Sequence, residues 1–365
     1  IYRDPDVSPR VCLLYFHGGG LLYGSREDLP ELHLKTLTGA GCVIWAFDYP
    51  LAPAARIHVI YSDAADSVNY YINQAESLIG ARLPYVLWGR SAGAWLALIT
   101  ASKASFPIPP AGVVSFYGYG FLTDNWYCMP SSYYKKLLPP VDESLIDNLS
   151  PVITGKAPLN ERYMVYIYAR QTGKWKDMIY EGRDKFFYMN FTLRLVDRFP
   201  CPLFAAHSTG DTDVPYAEFT ELCAKYETTR FIATAETHDF DRNEADVETA
   251  NVLRKMISWL EKKCMAKDQA GSGSPGTSAG FGAGTGVPAS GSSAGDQDLA
   301  PDGPVSLTCG GCKNACGITA AVKDGRLVHV TGGCHYSVKS ARRQLKKKLL
   351  QDPESLYADV DFTPL

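Results

Sequence analysis

The stretch that decides the fold is PYVLWGRSAGAWLALITA, residues 84–101. Residues 84–88 are mostly apolar, which is typical of a buried strand, and the residues after Ser91 fit a helix. Ser91 therefore lies in a turn between a strand and a helix, and Gly89 and Gly93 allow that turn to be tight. Such a turn strains the serine backbone and exposes its hydroxyl, as a nucleophile requires. The string alone also fits a glycine-rich turn with a solvated serine, but its strand and helix context favours a nucleophile.

Strands and helices alternate along most of the chain before residue 263. Short apolar runs predict strands, and the longer periodic stretches between them predict helices. The predicted strands are residues 11–16, 42–47, 84–88, 112–117, 202–206 and 230–233, and the predicted helices are residues 29–37, 60–75, 92–104, 216–226 and 243–262. This order predicts an α/β fold with a mostly parallel sheet, whose reactive residues gather at the carboxyl ends of the strands.

A run of glycines, in His17-Gly18-Gly19-Gly20, directly follows the first predicted strand. Consecutive glycines let backbone N–H groups turn toward one point, because no Cβ stands in the way. The N–H groups of Gly18 and Gly19, together with that of Ala92, are predicted to bind the oxyanion of an acyl-transfer intermediate.

A serine nucleophile needs a base, and the base needs an acid that orients it. His238 lies in a loop after the last predicted strand and is the predicted base. Asp211 and Asp213 compete for the role of the acid in the segment GDTDVP, residues 210–215. Asp211 is preferred and Asp213 remains the alternative, since either one also suits a turn or a helix cap.

The order of glycine loop, serine turn, aspartate and histidine resembles that of the α/β-hydrolases, over about residues 1–264. More narrowly it resembles the hormone-sensitive-lipase-like esterases, which also share the segment YPLAP at residues 49–53. The resemblance implies a serine carboxylic-ester hydrolase without a cofactor, with a lactonase or a peptidase as the alternative.

That family often has an acidic residue at the position of Arg90. The arginine, a cation beside the turn, either alters which leaving groups or acids are tolerated or pairs with a neighbouring carboxylate. The family's first strands would precede residue 1.

Residues 118–200 separate two predicted strands and are far longer than a usual crossover, which predicts a helical cap over the sheet. They are rich in aromatic side chains. We expect most of these rings to pack the cap onto the sheet, and the others to line a pocket for small to medium apolar or aryl esters.

Gly, Ser and Ala dominate residues 268–304, which predicts a flexible linker between a hydrolase of residues 1–267 and a second module of residues 305–365. In that module Cys309, Cys312, Cys316 and Cys334 suit a [4Fe–4S] cluster or a zinc ion, with a disulfide pair as the alternative. The segment around residues 316–332 predicts a β-hairpin with an Asp-Gly turn.

With its cysteines, this segment resembles the amino-terminal iron–sulfur domain of the molybdopterin oxidoreductases. The remaining cofactor-binding domains of that family are missing. The resemblance implies a redox partner or the missing molybdopterin-binding domains, and an alternative function in which the hydrolase is an accessory fused to part of an oxidoreductase.

The net charge of −3 and the 46% hydrophobic content exclude a strongly basic nucleic-acid-binding chain and a wholly disordered one. The basic stretch of residues 339–348 is expected to be a solvated helix face rather than a nucleic-acid site. No apolar run is long enough to predict a membrane-spanning helix. Scattered cysteines and the lack of a leader after Ile1 predict a cytoplasmic location.

Overall fold

The computed structural model describes residues 1–149, 158–265, 303–308, 317–323, 326–331 and 361–363. The chain divides into two compact units, Ile1–Gly273 and Ser274–Leu365. Nearly all of the predicted linker lies outside the described residues, as do the four predicted cysteine ligands, Cys309, Cys312, Cys316 and Cys334. The domain boundaries read from the sequence therefore stay predictions.

The first unit is built on a sheet of six parallel strands. In space they follow the order β2-β1-β3-β4-β5-β6, and each neighbouring pair is parallel. The strands are β1 (Val11–Phe16), β2 (Cys42–Phe47), β3 (Tyr85–Arg90), β4 (Gly112–Phe116), β5 (Leu203–Ser208) and β6 (Thr228–Ala233). The mostly parallel sheet predicted from the alternating pattern is thus present.

Helices cover both faces of this sheet. In chain order they are α1 (Glu31–Gly39), α2 (Ile57–Ile79), α3 (Ala92–Lys103), α4 (Ser132–Leu137), α5 (Ser144–Asp147), α6 (Leu159–Thr172), α7 (Trp175–Ile179), α8 (Asp184–Phe191), α9 (Tyr216–Lys225) and α10 (Val247–Lys263). Side chains alternate between the two faces along each strand. Leu14 of β1 therefore packs in a core with Val68 and Trp95, whereas Leu13 packs in the opposite core with Leu37 and Met256.

Two of the helices that differ from their predicted bounds do so for clear local reasons. The helix predicted over residues 243–262 begins only at Val247, because the Asp246 side chain accepts the backbone N–H of Glu248 and caps the helix there. The helix predicted over residues 60–75 extends to both sides, and it ends where Gly80 adopts the left-handed conformation.

The insertion between β4 and β5 is helical and contains a 3₁₀ turn (Trp126–Cys128) and α4 to α8. Its first residues are bound to α9 by the buried carboxylate of Glu218. That carboxylate accepts backbone N–H groups of Gly120, Phe121 and Thr123 at 3.0–3.1 Å. The start of the insertion is thus held against the sheet framework.

The second unit contains a sheet with the strand order β10-β9-β8-β7. The strands are β7 (Gly303–Thr308), β8 (Gly317–Lys323), β9 (Arg326–Thr331) and β10 (Asp361–Thr363). Strands β8 and β9 are antiparallel, as the predicted hairpin requires. Thr308 pairs with Gly317, and Thr331 pairs with Thr319. The end of β7, the start of β8 and the end of β9 therefore lie at one end of this sheet.

In the ranges that the structure describes, no helix is both long and apolar enough to cross a membrane. Six cysteines of the first unit are described, and each of them is unpaired: Cys12, Cys42, Cys128, Cys201, Cys223 and Cys264.

Candidate active site

Ser91 occupies a strained turn between β3 and α3, with φ of 53° and ψ of −120°. A Cβ at Gly89 would lie 2.1 Å from the backbone of Gly93, and a Cβ at Gly93 would lie 2.1 Å from the carbonyl oxygen of Phe16. Both positions therefore require glycine, because strand, helix and the end of β1 approach one another so closely. The strain turns the serine toward the carboxyl edge of the sheet.

The structure joins three of the predicted residues in one chain of hydrogen bonds. His238 Nε2 lies 2.8 Å from Ser91 Oγ, and His238 Nδ1 lies 2.7 Å from Asp211 Oδ2. The other carboxylate oxygen of Asp211 accepts the backbone N–H groups of Asp213 and Val214. All of the contacts that a nucleophile, a base and an orienting acid need are thus present in this arrangement.

A second histidine, which the sequence reasoning did not assign, also contacts the acid. His207 Nε2 lies 3.1 Å from Asp211 Oδ2 and 3.2 Å from the carbonyl oxygen of Val214. Since both partners are acceptors, Nε2 is the ring nitrogen that carries the proton. The sequence feature that could have identified His207 is its position at the end of β5, just before the loop that bears Asp211.

The charges of the site shift the pKa values of its acid and base in opposite directions. Burial acts to raise the pKa of Asp211, but the charge of His238 and hydrogen bonds from His207 and His238 outweigh it and hold the pKa well below its usual range. Burial acts to lower the pKa of His238, but Asp211, with smaller contributions from Asp213 and Asp239, raises it to about 9. Both shifts therefore stabilise the charged pair that forms when His238 takes up a proton beside an ionised Asp211.

The predicted oxyanion residues lie close to the serine: Gly18 and Gly19 line the same cavity as Ser91, and Ala92 follows it in the chain. Gly18 lies directly beside it, since a Cβ at Gly18 would be 3.5 Å from the Ser91 Cβ. Gly19 and Gly20 have φ angles of 100° and 60°, which glycine tolerates best. Ala92 is buried at the first position of α3, where a backbone N–H lacks an intrahelical partner. The arrangement is suited to holding a negatively charged oxygen near Ser91.

The segment YPLAP braces this glycine loop. The Tyr49 hydroxyl donates to the carbonyl oxygen of His17 at 2.8 Å, and the two rings stack with their centroids 4.1 Å apart. Burial lowers the pKa of His17, which favours its neutral form. From the cap, the Trp175 indole N–H donates to the carbonyl oxygen of Gly20 at 2.8 Å. The loop is thus fixed from two sides.

Arg90, Tyr117, Asp241 and His33 form a buried group that we call the elbow cluster. Arg90 Nη2 donates to Asp241 Oδ1 at 3.0 Å, and Arg90 Nε donates to the Tyr117 hydroxyl at 2.6 Å. That hydroxyl donates in turn to Asp241 Oδ1 at 2.7 Å, and His33 Nε2 lies 2.8 Å from Asp241 Oδ2. Of the two roles that the sequence left open for Arg90, the structure shows the pairing with a carboxylate.

The elbow cluster adjoins two residues of the hydrogen-bonded chain, Ser91 and His238. Arg90 directly precedes Ser91, Asp241 lies in the loop of His238, and the Tyr117 ring contacts the His238 ring edge-on at a centroid distance of 4.8 Å. Burial acts to raise the pKa of Asp241, but the charge of Arg90 holds it well below its usual range. The cluster is therefore a buried ion pair that links the nucleophile turn to the histidine loop.

Asp213, the alternative acid, belongs to a second buried group that also contains an arginine and a tyrosine, which we call the cap cluster. Arg170 Nε donates to Asp213 Oδ1 at 3.0 Å, and Arg170 Nη2 donates to the Asp213 carbonyl oxygen at 3.2 Å. The Tyr166 hydroxyl donates to Asp213 Oδ2. Arg170 and Tyr166 both lie on α6 of the cap, so Asp213 binds the cap rather than His238.

The site opens on a cavity of about 260 Å³ between the sheet and the cap. Among the described residues its wall contains no Val, Leu, Ile or Met side chain; it consists of glycines, Ser91, His238, two threonines, charged side chains and six tyrosines: Tyr23, Tyr117, Tyr133, Tyr134, Tyr163 and Tyr166. Four of these tyrosines come from the cap, whereas Trp175 and Phe187 pack in the core. The rings of the predicted pocket are thus present, but aliphatic side chains are not among its described lining.

Across the ranges with described coordinates, no group of three or more His, Cys, Asp or Glu side chains is suited to hold a metal ion. The predicted ligands Cys309, Cys312, Cys316 and Cys334 lie outside those ranges.

Comparison with known proteins gives the class of the first unit. Residues 13–174 match the family described as alpha/beta hydrolase fold. An ethyl acetate hydrolase from Pseudomonas putida is 28% identical over 200 residues, and the match covers 46% of this chain but 63% of the length of that curated relative.

Two solved structures are similar to the first unit. A protein of unknown function from Staphylococcus aureus subsp. aureus Mu50 has a TM-score of 0.63 at 28% identity, and the match covers 72% of this chain and 93% of that one. An alpha/beta hydrolase superfamily protein from Enterococcus faecalis has a TM-score of 0.58 at 25% identity, with the same coverage of 72% and 93%.

The first unit therefore has the α/β-hydrolase fold that the sequence motifs predict. None of these similarities supports the resemblance of residues 305–365 to the molybdopterin oxidoreductases.

Proposed function

We propose that the first unit is a serine carboxylic-ester hydrolase that acts on small esters. The observation that carries the proposal is the chain of hydrogen bonds from Ser91 through His238 to Asp211, beside the glycine loop and open to the cavity. The relative named ethyl acetate hydrolase acts on a small ester, which agrees with a small substrate for this unit.

The chemistry follows from the roles of these groups. Ser91 Oγ attacks the ester carbonyl carbon while His238 Nε2 takes the hydroxyl proton, and Asp211 stabilises the resulting imidazolium. The N–H groups of Gly18, Gly19 and Ala92 hold the oxyanion. The intermediate collapses and expels the alcohol, which takes the proton from His238.

Water then completes the reaction. His238 Nε2 accepts a proton from the water as its oxygen attacks the acyl carbon bound to Ser91 Oγ. The second tetrahedral intermediate releases the carboxylic acid, and the proton returns to Ser91. One ester and one water thus give one acid and one alcohol.

The cavity sets the size of the substrate. Its volume of about 260 Å³ lies below the roughly 300–1,000 Å³ of most ligand pockets. It suits a short acyl group and a compact alcohol better than a long acyl chain. A panel of lactones and peptide amides beside the esters would test the lactonase and peptidase alternatives.

Replacing Ser91 by alanine tests the assignment. Because Oγ supplies the bond to the acyl group, Ser91→Ala is expected to abolish turnover of p-nitrophenyl acetate. Ser77→Ala removes a hydroxyl from an exposed position of α2 and serves as the matched control with unchanged rate. If Ser91→Ala retains the rate of the unaltered protein, the assignment is wrong.

For the second unit we propose a separate function, an iron–sulfur module. The end of β7, the start of β8 and the end of β9 meet at one end of the sheet, and Cys309, Cys316 and Cys334 adjoin or follow these strand ends in the sequence. With Cys312 these thiolates would hold the cluster. Anaerobic purification should then yield iron and acid-labile sulfide, which replacement of the four cysteines by serine removes. Zinc without iron would contradict the proposal.

A further inference from the structure

Five of the cavity tyrosines form one continuous belt of ring contacts. In spatial order they are Tyr133, Tyr134, Tyr166, Tyr23 and Tyr163, and neighbouring ring centroids are 5.1, 5.6, 5.6 and 5.3 Å apart. Most of these contacts are edge-to-face, the arrangement that aromatic pairs prefer. Each ring therefore restrains the next, and the belt presents its rings and hydroxyls in a fixed arrangement.

The hydroxyls of the belt fall into two groups. Those of Tyr166 and Tyr134 interact with Asp213 of the cap cluster. Those of Tyr23, Tyr133 and Tyr163 make no hydrogen bond with any other described residue, and all three side chains line the cavity. They are available to donate to a ligand and to accept from it.

Further polar groups line the same cavity around the serine. Thr212 and Thr237 add two hydroxyls, and Asp239 and Arg242 form an ion pair at 2.7 Å. An alkyl alcohol would bury these groups without partners, which costs binding free energy for each one. A ligand with several hydroxyls pairs with them, while its C–H groups contact the tyrosine rings.

We infer that the alcohol portion of the substrate is a polyhydroxylated ring, so that the preferred substrate is an O-acetylated monosaccharide. The inference rests on the proposed function, and it concerns the alcohol rather than the bond that is cleaved. Water and the sugar acetate give acetate and the free sugar hydroxyl, with Ser91 carrying the acetyl group between the two steps.

A matched pair of substrates tests the inference. A mono-O-acetylated methyl pyranoside and cyclohexyl acetate share the acetyl group and the size of the ring but differ in the ring hydroxyls. We expect kcat/KM for the acetylated pyranoside to be at least about tenfold higher, since two or more new hydrogen bonds contribute. p-Nitrophenyl acetate measured on the same protein reports the underlying esterase activity.

Three phenylalanine variants test whether the belt hydroxyls cause the preference for the acetylated pyranoside. Tyr23→Phe, Tyr133→Phe and Tyr163→Phe each keep the ring and remove one uncommitted hydroxyl. Each should lower the ratio of kcat/KM for the acetylated pyranoside to kcat/KM for cyclohexyl acetate about threefold to tenfold, because cyclohexyl acetate has no ring hydroxyl to pair with the removed group. Tyr70→Phe, on the exposed side of α2, is the control, and it should change neither value.

The outcomes separate the two proposals. Preference for the pyranoside that the belt variants reduce supports the inference. Equal or faster hydrolysis of cyclohexyl acetate, or a preference that all three belt variants retain, overturns the inference, while p-nitrophenyl acetate turnover upholds the proposed esterase. Lack of turnover of every ester overturns the proposed function itself.

Discussion

The elbow cluster and the cap cluster have the same chemistry but connect different parts of the molecule. Each contains one aspartate, one arginine and one tyrosine, all buried. Asp241 shares a loop with His238, and Asp213 shares a loop with Asp211. In both clusters a buried ion pair is attached to a loop that carries a residue of the proposed triad.

The difference lies in where the arginine comes from. Arg90 ends a central strand of the sheet, so the elbow cluster joins two elements of the sheet framework. Arg170 lies on α6, so the cap cluster joins the insertion to the framework. One ion pair thus fixes the His238 loop relative to Ser91, whereas the other holds the cap over them.

The largest expected effect is on stability, from Arg90→Met. This change leaves the Asp241 carboxylate buried without its cation, and breaking a buried pair in this way costs about 3–5 kcal/mol of the free energy of unfolding. Urea unfolding of the first unit followed by tryptophan fluorescence measures it. Arg90→Lys keeps the charge and should lose less, and an Arg90→Met protein as stable as the unaltered one would contradict the role of the cluster.

A smaller loss is expected from Arg170→Met in the cap cluster. Asp213 keeps the hydrogen bond from Tyr166, and the cap is a peripheral insertion, so we expect about 1.5–3 kcal/mol, the range for hydrogen bonds to charged groups. KM for p-nitrophenyl acetate should rise as well, because the cap forms one wall of the cavity. If Arg170→Met destabilises the protein more than Arg90→Met does, the proposed difference between the clusters is wrong.

The smallest effect is a shift in pH dependence, from Asp213→Asn. The negative charge of Asp213 contributes to the raised pKa of His238, so its removal lowers that pKa. His238 accepts a proton only in its neutral form, and the acid limb of kcat/KM should therefore move to lower pH, by less than about one unit.

Arg170→Met is expected to move the acid limb of kcat/KM in the opposite direction. Without the arginine, the charge of Asp213 is less compensated and raises the pKa of His238 further, so the acid limb should move to higher pH. We would measure kcat/KM for p-nitrophenyl acetate across the pH range in both variants, so that each variant serves as the control for the other. Shifts in the same direction in both would rule out an electrostatic link from the cap cluster to His238.

Much of the framework could be predicted because its signals are local. Strands β1 and β2 have the predicted bounds, since an unbroken apolar run is followed by a glycine loop in one case and by Asp48 in the other. The turn around Ser91 was predictable as well, because its two glycines are flanked by a strand and a helix. These features depend on neighbours in the sequence.

The clusters depend on contacts between distant residues, and for this reason the sequence did not reveal them. Arg90 and Asp241 are 151 positions apart, and His33 and Asp241 are 208 positions apart. The sequence indicated Asp213 as an alternative acid or as a turn or cap residue, but not as a residue that binds the cap, because its partner Arg170 lies in the insertion. In each case the position of a charged residue was visible, but its partner was determined by tertiary packing.

His33 gives the elbow cluster a natural spectroscopic reporter. Its Nε2 faces a carboxylate oxygen, both side chains are fully buried, and an acceptor of this kind fixes the proton on that nitrogen. Shielded from solvent, this proton should exchange slowly and give a resolved downfield line in the proton NMR spectrum. Its disappearance on warming would record the opening of the histidine loop without any label or substitution near Ser91.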